Sequence, residues 1–195
     1  PFSFSLKNFS GEFKLYLLSI FIFGLGFMPL SLVLLQSQRV GFDSIAIPLM
    51  YFVYSLSFVI FAIPFGHLSD RIGERKVLIL GFLAAIVGYG IFVFMRNPVG
   101  VVMGFIVLGL YSAMTDGIQR ALASKIVAGE KLATGQGFLN AAVGVSSLLS
   151  GIVAGLIWTF LGSVLAFLYG IAVMVIGLFT FVIYNKRYGK SAHSN

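Results

Sequence analysis

Six long apolar runs, separated by short polar connections, occupy most of this chain. They cover residues 15–35, 45–65, 77–95, 99–118, 133–157 and 164–183. Each run has about 19 to 25 residues, which is enough for an α-helix to cross a hydrocarbon core of about 30 Å. None alternates strictly, as the strands of a membrane barrel do. The pattern therefore predicts an all-α membrane protein, a bundle of six transmembrane helices forming a single domain over residues 1–195.

The composition agrees with a membrane location. Of the 195 residues, 59% are hydrophobic and 10% are charged, whereas about 25% are charged in soluble proteins. The mean hydropathy is +1.03. No cysteine is present, which excludes disulfides and thiolate metal sites. The two histidines, His67 and His193, lie in a connection and in the tail, so we expect no metal, no cofactor and no enzyme activity.

Positive charge is concentrated in alternate connections. If the amino end is cytoplasmic, only Arg39 and Arg96 lie on the outer side. The inner side then holds Lys7, Lys14, Arg71, Arg75, Lys76, Arg120, Lys125, Lys131, Lys186, Arg187 and Lys190. The positive-inside rule then predicts that both termini face the cytoplasm. We expect the membrane to be the inner or plasma membrane of the cell. Despite the net charge of +7, we expect no nucleic-acid partner, because the basic residues do not share one face interleaved with aromatic residues.

Polar side chains on the fourth and fifth predicted helices are candidates for a pathway for a small solute or a proton. Asp116 and Arg120 lie four residues apart on a stripe of small residues, a spacing that favours an ion pair on one helix face. Because a charge facing lipid is costly, the pair should face protein or water. It either belongs to such a pathway, together with Gln119, or fixes the orientation of the helix. On the fifth helix, Gln136 and Asn140 could hydrogen-bond a solute.

Other helices are assigned by their polarity. Tyr51 and Tyr54 on the second helix suit either a solute pocket or the outer membrane interface. On the fifth helix, Gly144, Ser147, Gly151 and Gly155 resemble a seam for close helix packing. The third and sixth helices carry almost no polar side chains, which predicts that they face lipid.

The stretch "GHLSDRIGERKVL", residues 66–78, gathers charge between two apolar runs. Gly66 is expected to end the second helix, and Gly73 to permit the reversal into the third. Asp70 can pair with arginine, or accept hydrogen bonds at a helix amino end, in one conformation and release them in another. It lies among the basic residues Arg71, Arg75 and Lys76. The stretch is therefore either a conformational latch or a basic loop that only sets topology.

This stretch resembles the loop signature of the major facilitator superfamily, Gly-x-Leu-Ser-Asp-Arg-x-Gly-x-Arg-Lys. It lies in the corresponding connection, between the second and third helices of a six-helix half. Glu74 stands where the family usually has a basic residue, which allows an internal salt bridge. A looser similarity to some bacterial members covers "TDGIQRALASKI" and "GQGFLNAAVG", residues 115–126 and 135–144.

The resemblance implies a twelve-helix transporter whose two six-helix halves rock about a central site. The first, second, fourth and fifth helices of a half would line the cavity, and Asp70 would latch against the other half. Because the chain begins with Pro1 rather than Met, we expect it to be the carboxyl-terminal half. It would then form half of a secondary transporter that moves a small molecule or ion by alternating access.

The sequence does not determine what drives transport, and it allows one alternative function. Transport would be driven by an ion gradient or by simple facilitation, and the absence of a phosphate-binding loop argues against direct use of nucleotide. The expected partners are membrane lipid and a complementary half or a second copy. The alternative is a non-transporting interaction module built on the same fold.

Overall fold

The structure is a computed structural model that describes residues 6–43, 45–127 and 129–189. Within these ranges the chain is helical and contains no strand. The helices are α1 (Gly11–Gly26), α2 (Leu30–Arg39), α3 (Ala46–Ile72), α4 (Glu74–Phe94), α5 (Pro98–Ile126), α6 (Leu132–Leu161) and α7 (Ser163–Tyr188). Lys190 and His193, which were considered above, lie outside the described residues.

Six segments of the described chain are long and apolar enough to cross a membrane, as predicted. The first, Gly11–Arg39, contains both α1 and α2, because the helix is interrupted at Pro29. Proline has no amide proton and clashes with the preceding turn. The Met28 amide freed at this break donates a hydrogen bond of 2.7 Å to the Tyr89 hydroxyl, which is buried. The chain is therefore a multi-pass integral membrane protein whose first span is broken near its middle.

The connection between the second and third spans is shorter than predicted. Gly66 does not end the helix, since α3 continues to Ile72 and includes both Pro64 and Gly66. Only Gly73, with φ of +94°, separates α3 from α4, and this backbone conformation favours glycine. A single glycine inside a helix costs only about 1 kcal/mol. The end of an apolar run therefore marks the edge of the membrane rather than the end of the helix.

Two closely packed helix pairs, α4 with α5 and α1 with α7, form the body of the bundle and meet through α4 and α7. Helix α4 packs on α5 and α7, α1 on α7 and α6, and α3 mainly on α5. Helices α3 and α6 therefore stand at the two edges of one face, while α4 and α7 lie on the opposite side. In their most apolar stretches only 11% of the α3 residues and 22% of the α6 residues are buried, against 56% for α5. One broad face of the bundle is thus left uncovered.

An aromatic core joins α1, α4 and α7. The rings of Phe23 and Phe82 stack with their centroids 4.0 Å apart, and those of Phe92 and Phe167 stack at 5.2 Å. The backbones of α1 and α7 also approach closely. A Cβ on Gly26 would lie only 2.6 Å from the carbonyl oxygen of Gly170. The broken first span is therefore held firmly against α4 and α7.

Polar contacts tie the helices together at the end of the bundle where Gly73 lies. At the Gly73 end, Arg75 pairs with Glu12 at 2.7 Å and stacks on the Tyr184 ring, with its guanidinium carbon 5.0 Å from the centroid. Glu74 pairs with Lys125 of α5, which is the internal salt bridge that the sequence allowed. These contacts join the start of α4 to α1, α5 and α7.

The predicted packing seam on α6 has few neighbours within this bundle. The buried stripe of this helix consists of Gly135, Leu139, Ser146, Ser150, Ala154 and Trp158. Nothing lies within 4 Å of a Cβ placed on Gly144 or Gly155, and only Gly151 has a close neighbour, Pro29 at 3.1 Å. The glycine stripe is rotated away from the buried stripe, so it does not pack within the bundle.

Candidate functional site

A groove of about 260 Å³ opens on the uncovered face, close to the middle of the membrane spans. It runs along the break between α1 and α2 and is walled by α3, α5 and α6. No residue of α4 or α7 lines it, which is the distribution that the resemblance implied. The lining residues are Ile20, Phe23, Gly24, Phe27, Met28, Pro29, Leu30, Tyr54, Tyr111, Ser112, Asp116, Gln119, Val143, Ser146 and Ser147.

The polar part of the groove lies on α5. Among the described residues that line the groove, Asp116 is the one charged side chain, and it is exposed in this chain. Gln119 lies one turn further along the helix. Ser112 lies one turn before Asp116, and its hydroxyl is 2.7 Å from the hydroxyl of Tyr54 on α3. These groups offer one carboxylate, one amide and two hydroxyls to a solute.

Aromatic rings form the wall opposite α6. The rings of Phe27 and Tyr111 lie 4.5 Å apart between centroids, and those of Phe23 and Tyr111 lie 6.0 Å apart. Phe23 is held in turn by its stack on Phe82 in the core. The wall is therefore anchored by packing behind it and does not depend on a bound solute for its position.

The helix break contributes backbone polarity to the same groove. Helix α1 ends at Gly26 and α2 begins at Leu30, so a helix carboxyl end and a helix amino end meet there. Their partial charges have opposite sign and largely offset one another. The net charge of the groove is consequently set by the side chains, and above all by Asp116.

The groove includes three of the seven residues predicted for a pathway. Tyr54, Asp116 and Gln119 line it together, whereas Tyr51, Arg120, Gln136 and Asn140 do not. Within the described part of the chain, Asp116 and Arg120 form no ion pair, although their spacing suggested one. Arg120 is exposed one turn nearer the Gly73 end.

The remaining predicted residues have other surroundings. The Gln136 side chain donates to the carbonyl oxygen of Arg120 at 2.9 Å and to the Ser124 hydroxyl at 2.8 Å, so it joins α6 to α5. The Tyr51 and Tyr54 rings lie 6.2 Å apart, and Tyr51 is 53% exposed. Asn140 is exposed on α6.

Sequence reasoning missed the aromatic wall and Ser112. A signal for Ser112 was present, because Ser112, Asp116 and Gln119 are spaced by four and three residues and share one helix face. No comparable signal marked Phe23, Phe27 and Tyr111. Their ring contacts join α1 to α5, and spacing within a single helix does not reveal contacts between helices.

The predicted latch residues lie at the Gly73 end, away from the groove. Asp70 and Arg71, in the last turn of α3, are both exposed, and neither forms an ion pair with a described residue. Arg75 is engaged with Glu12 rather than with Asp70. Lys76 is exposed. Asp70 is thus left accessible to a group outside this bundle.

A larger space, of about 1000 Å³, also opens at the Gly73 end. Its lining includes Gly73, Arg75 and Lys76 together with Lys125 and Lys186. The carboxylates that line it, Glu12 and Glu74, are both in ion pairs. It lies at the ends of the helices rather than within the membrane spans, so we do not assign it to solute passage.

Comparison with known proteins identifies the family. The model of the Major Facilitator Superfamily matches residues 16–195. One relative, an uncharacterized MFS-type transporter of Methanocaldococcus jannaschii, is 32% identical over 90% of this chain and 47% of its own length. An uncharacterized transporter of Buchnera aphidicola is 29% identical over 60% of this chain and 29% of its own length. The chain spans about half the length, or less, of these curated relatives.

The described residues also show no group of three or more histidine or acidic side chains that could hold a metal ion.

Proposed function

Because the chain belongs to the Major Facilitator Superfamily, we propose that it forms one half of a secondary transporter, which moves a small solute through the membrane by alternating access. The groove carries this proposal. It is polar on α5, aromatic on α1, and open on the one face that the bundle leaves uncovered. The names of the relatives, which are MFS-type or other transporters, support a role in transport rather than catalysis.

The size of the groove supports a partner half or a second copy. Pockets that enclose a small molecule usually measure about 300 to 1,000 Å³, and this groove is smaller. The open glycine stripe at Gly144 and Gly155 would allow another helix to approach closely. We therefore place the groove at one wall of a site that a second six-helix unit completes.

The proposed transporter has a defined orientation and latch. The protein lies in the inner or plasma membrane of the cell. Both termini face the cytoplasm, since the basic residues cluster at the Gly73 end. The exposed Asp70 contacts the partner half in one state and releases it in the other. An ion gradient or simple facilitation drives the movement, and Asp116 is the candidate site for any coupled proton.

Alternating access can be tested by cysteine labelling, because the chain itself contains no cysteine. Ser147→Cys places a thiol on the α6 wall of the groove. In the complete gene product, made cysteine-free elsewhere and placed in vesicles, we expect a membrane-impermeant maleimide to label this thiol from either side.

Phe179→Cys is the matched control. Phe179 lies on α7, away from the groove, and is 66% exposed on the lipid-facing side of the bundle. We expect no labelling there from either side. If Ser147→Cys reacts from one side only, or from neither, alternating access through this groove is wrong and the interaction-module alternative is favoured.

A further inference from the structure

We propose that the solute bound by this groove is an organic cation with an apolar surface, such as a quaternary ammonium compound. This inference rests on the proposed transport function and specifies the substrate class of the same site. It starts from charge. Among the described residues of the lining, one is acidic and none is basic.

The acidic side chain is free to meet a ligand. Asp116 is exposed in the groove and forms no ion pair with a described residue. Arg120, the nearest basic residue along α5, lies one turn away and does not line the groove. Arg120 and the Thr115 hydroxyl act on the carboxylate from outside the groove, but no basic residue of the described lining pairs with it, and the opposed helix ends at the break offset one another. A solute that brings a positive charge would pair with the carboxylate.

The aromatic wall makes a second, independent contribution. The faces of aromatic rings attract cations, and clusters of such rings bind quaternary ammonium groups. Phe23, Phe27 and Tyr111 form one cluster, in which Tyr111 lies within 6.0 Å of both phenylalanine rings between centroids. Phe23 and Tyr111 are buried, so the half-buried Phe27 presents most of the ring surface. Asp116 and the three rings all line the groove, so the carboxylate and the cluster border the same space.

The neutral donors of the lining do not offset the repulsion that an anion would meet from Asp116. The Tyr54 and Ser112 hydroxyls are hydrogen-bonded to one another, and the one that accepts keeps its own proton free to donate. The lining also supplies the Gln119 amide and the hydroxyls of Tyr111 and Ser147, whereas Ser146 already donates to the carbonyl oxygen of Val143 at 3.0 Å. None of these donors is charged, and the one charged group of the described lining is a carboxylate, so the lining favours a cation over an anion.

The test uses probes that differ only in charge. Choline, its neutral carbon isostere 3,3-dimethylbutan-1-ol and the anion isethionate share a hydroxyethyl group. Benzyltrimethylammonium and phenylmethanesulfonate form a larger pair. Each is added at equal concentration to Ser147→Cys in the complete gene product, and protection of the thiol from maleimide is measured as an apparent dissociation constant.

We expect at least one of the two cations to protect, with the neutral and anionic partners at least about tenfold weaker. Asp116→Asn should weaken protection by the cation about tenfold or more, and Asp116→Glu should restore most of it. Asp43→Asn is the control, because Asp43 lies outside the spans in an exposed connection. It should leave protection unchanged.

Several results would overturn the proposal. These are protection by an anion, equal protection by the neutral isostere, protection by none of the five compounds, or cation protection that Asp116→Asn leaves intact. Labelling of Ser147→Cys from both sides of the membrane would still support transport in each of these cases. Failure of the substrate class is therefore distinguishable from failure of the proposed function.

Discussion

The close approach of α1 and α7 makes a substitution at Gly170 the sharpest test of this packing. A Cβ on Gly170 would lie 2.7 Å from the carbonyl oxygen of Gly26 and 2.7 Å from the ring of Tyr89. An ordinary contact begins at 3.4 Å. Neither the backbone nor the buried ring can yield freely, so Gly170→Ala must push the two helices apart.

The size of the effect follows from comparison with a second glycine. Overpacking a core costs about 1 to 3 kcal/mol, whereas alanine in place of glycine favours a helix by about 1 kcal/mol. Gly90 in α4 has nothing within 4 Å of an added Cβ, so Gly90→Ala gains only the higher helix propensity of alanine. Both variants share that gain, so the difference between their free energies of unfolding reports the overpacking alone. We expect Gly170→Ala to be less stable than Gly90→Ala by about 1 to 3 kcal/mol.

The assay is unfolding of the complete gene product in mixed micelles, followed by tryptophan fluorescence and circular dichroism. The displaced ring of Tyr89 should also disturb its hydrogen bond to the Met28 amide at the helix break, and so alter the groove. If Gly170→Ala unfolds at the same denaturant activity as Gly90→Ala, the backbones of α1 and α7 are not in contact as described.

Two further substitutions test the Gly73 end. Arg75→Lys keeps the charge but loses the guanidinium's hydrogen bond to Glu12 and its stacking on the Tyr184 ring, so we expect a loss of about 1 to 2 kcal/mol in the same assay, against less than about 0.5 kcal/mol for the exposed Arg71→Lys. Equal stability of these two variants would argue against the Glu12 contact. Asp70→Asn should slow the interconversion of inward-open and outward-open states more than it changes solute affinity, as measured by distances between the halves, with Asp43→Asn as control. Unchanged interconversion rates would exclude Asp70 as a latch.

Hydropathy predicted the number of spans because the bilayer imposes a length on every crossing segment. It did not predict where the helices end. Asp70 and Arg71 are polar yet remain helical at the end of α3, since a helix needs backbone hydrogen bonds rather than apolar side chains to continue into water. Hydropathy also gives no sign of the break at Phe27 to Pro29, because the break depends on Pro29 and on a neighbour such as Tyr89 that accommodates the freed amide.

The candidate site was predicted only in part, because spacing along one helix does not reveal contacts between helices. Periodicity on α5 grouped Asp116 with nearby polar residues, since positions on one helix have fixed angular relations, and Asp116 and Gln119 both line the groove. Assigning Arg120 as the ion-pair partner of Asp116 relied on spacing alone, and the two form no ion pair. The glycine stripe on α6 was likewise inferred from spacing. Spacing showed that a face was made of small residues but not which neighbour, if any, covers it.

Asp116 and the open glycines both bear on the proposed second six-helix unit. A carboxylate inside a membrane span costs at least about 2.5 to 3.5 kcal/mol unless water, a cation or a donor compensates it, and the described residues supply no ion partner. The glycine stripe leaves room for a helix that this bundle does not provide. Both features lie at the uncovered face, one as unbalanced charge and the other as unfilled space. A second six-helix unit closing over that face would fill the space directly, whereas a cationic solute between the units would balance the charge only while it is bound. We therefore expect a solute bound at Asp116 to change the stability of the state in which the second unit has closed over the groove.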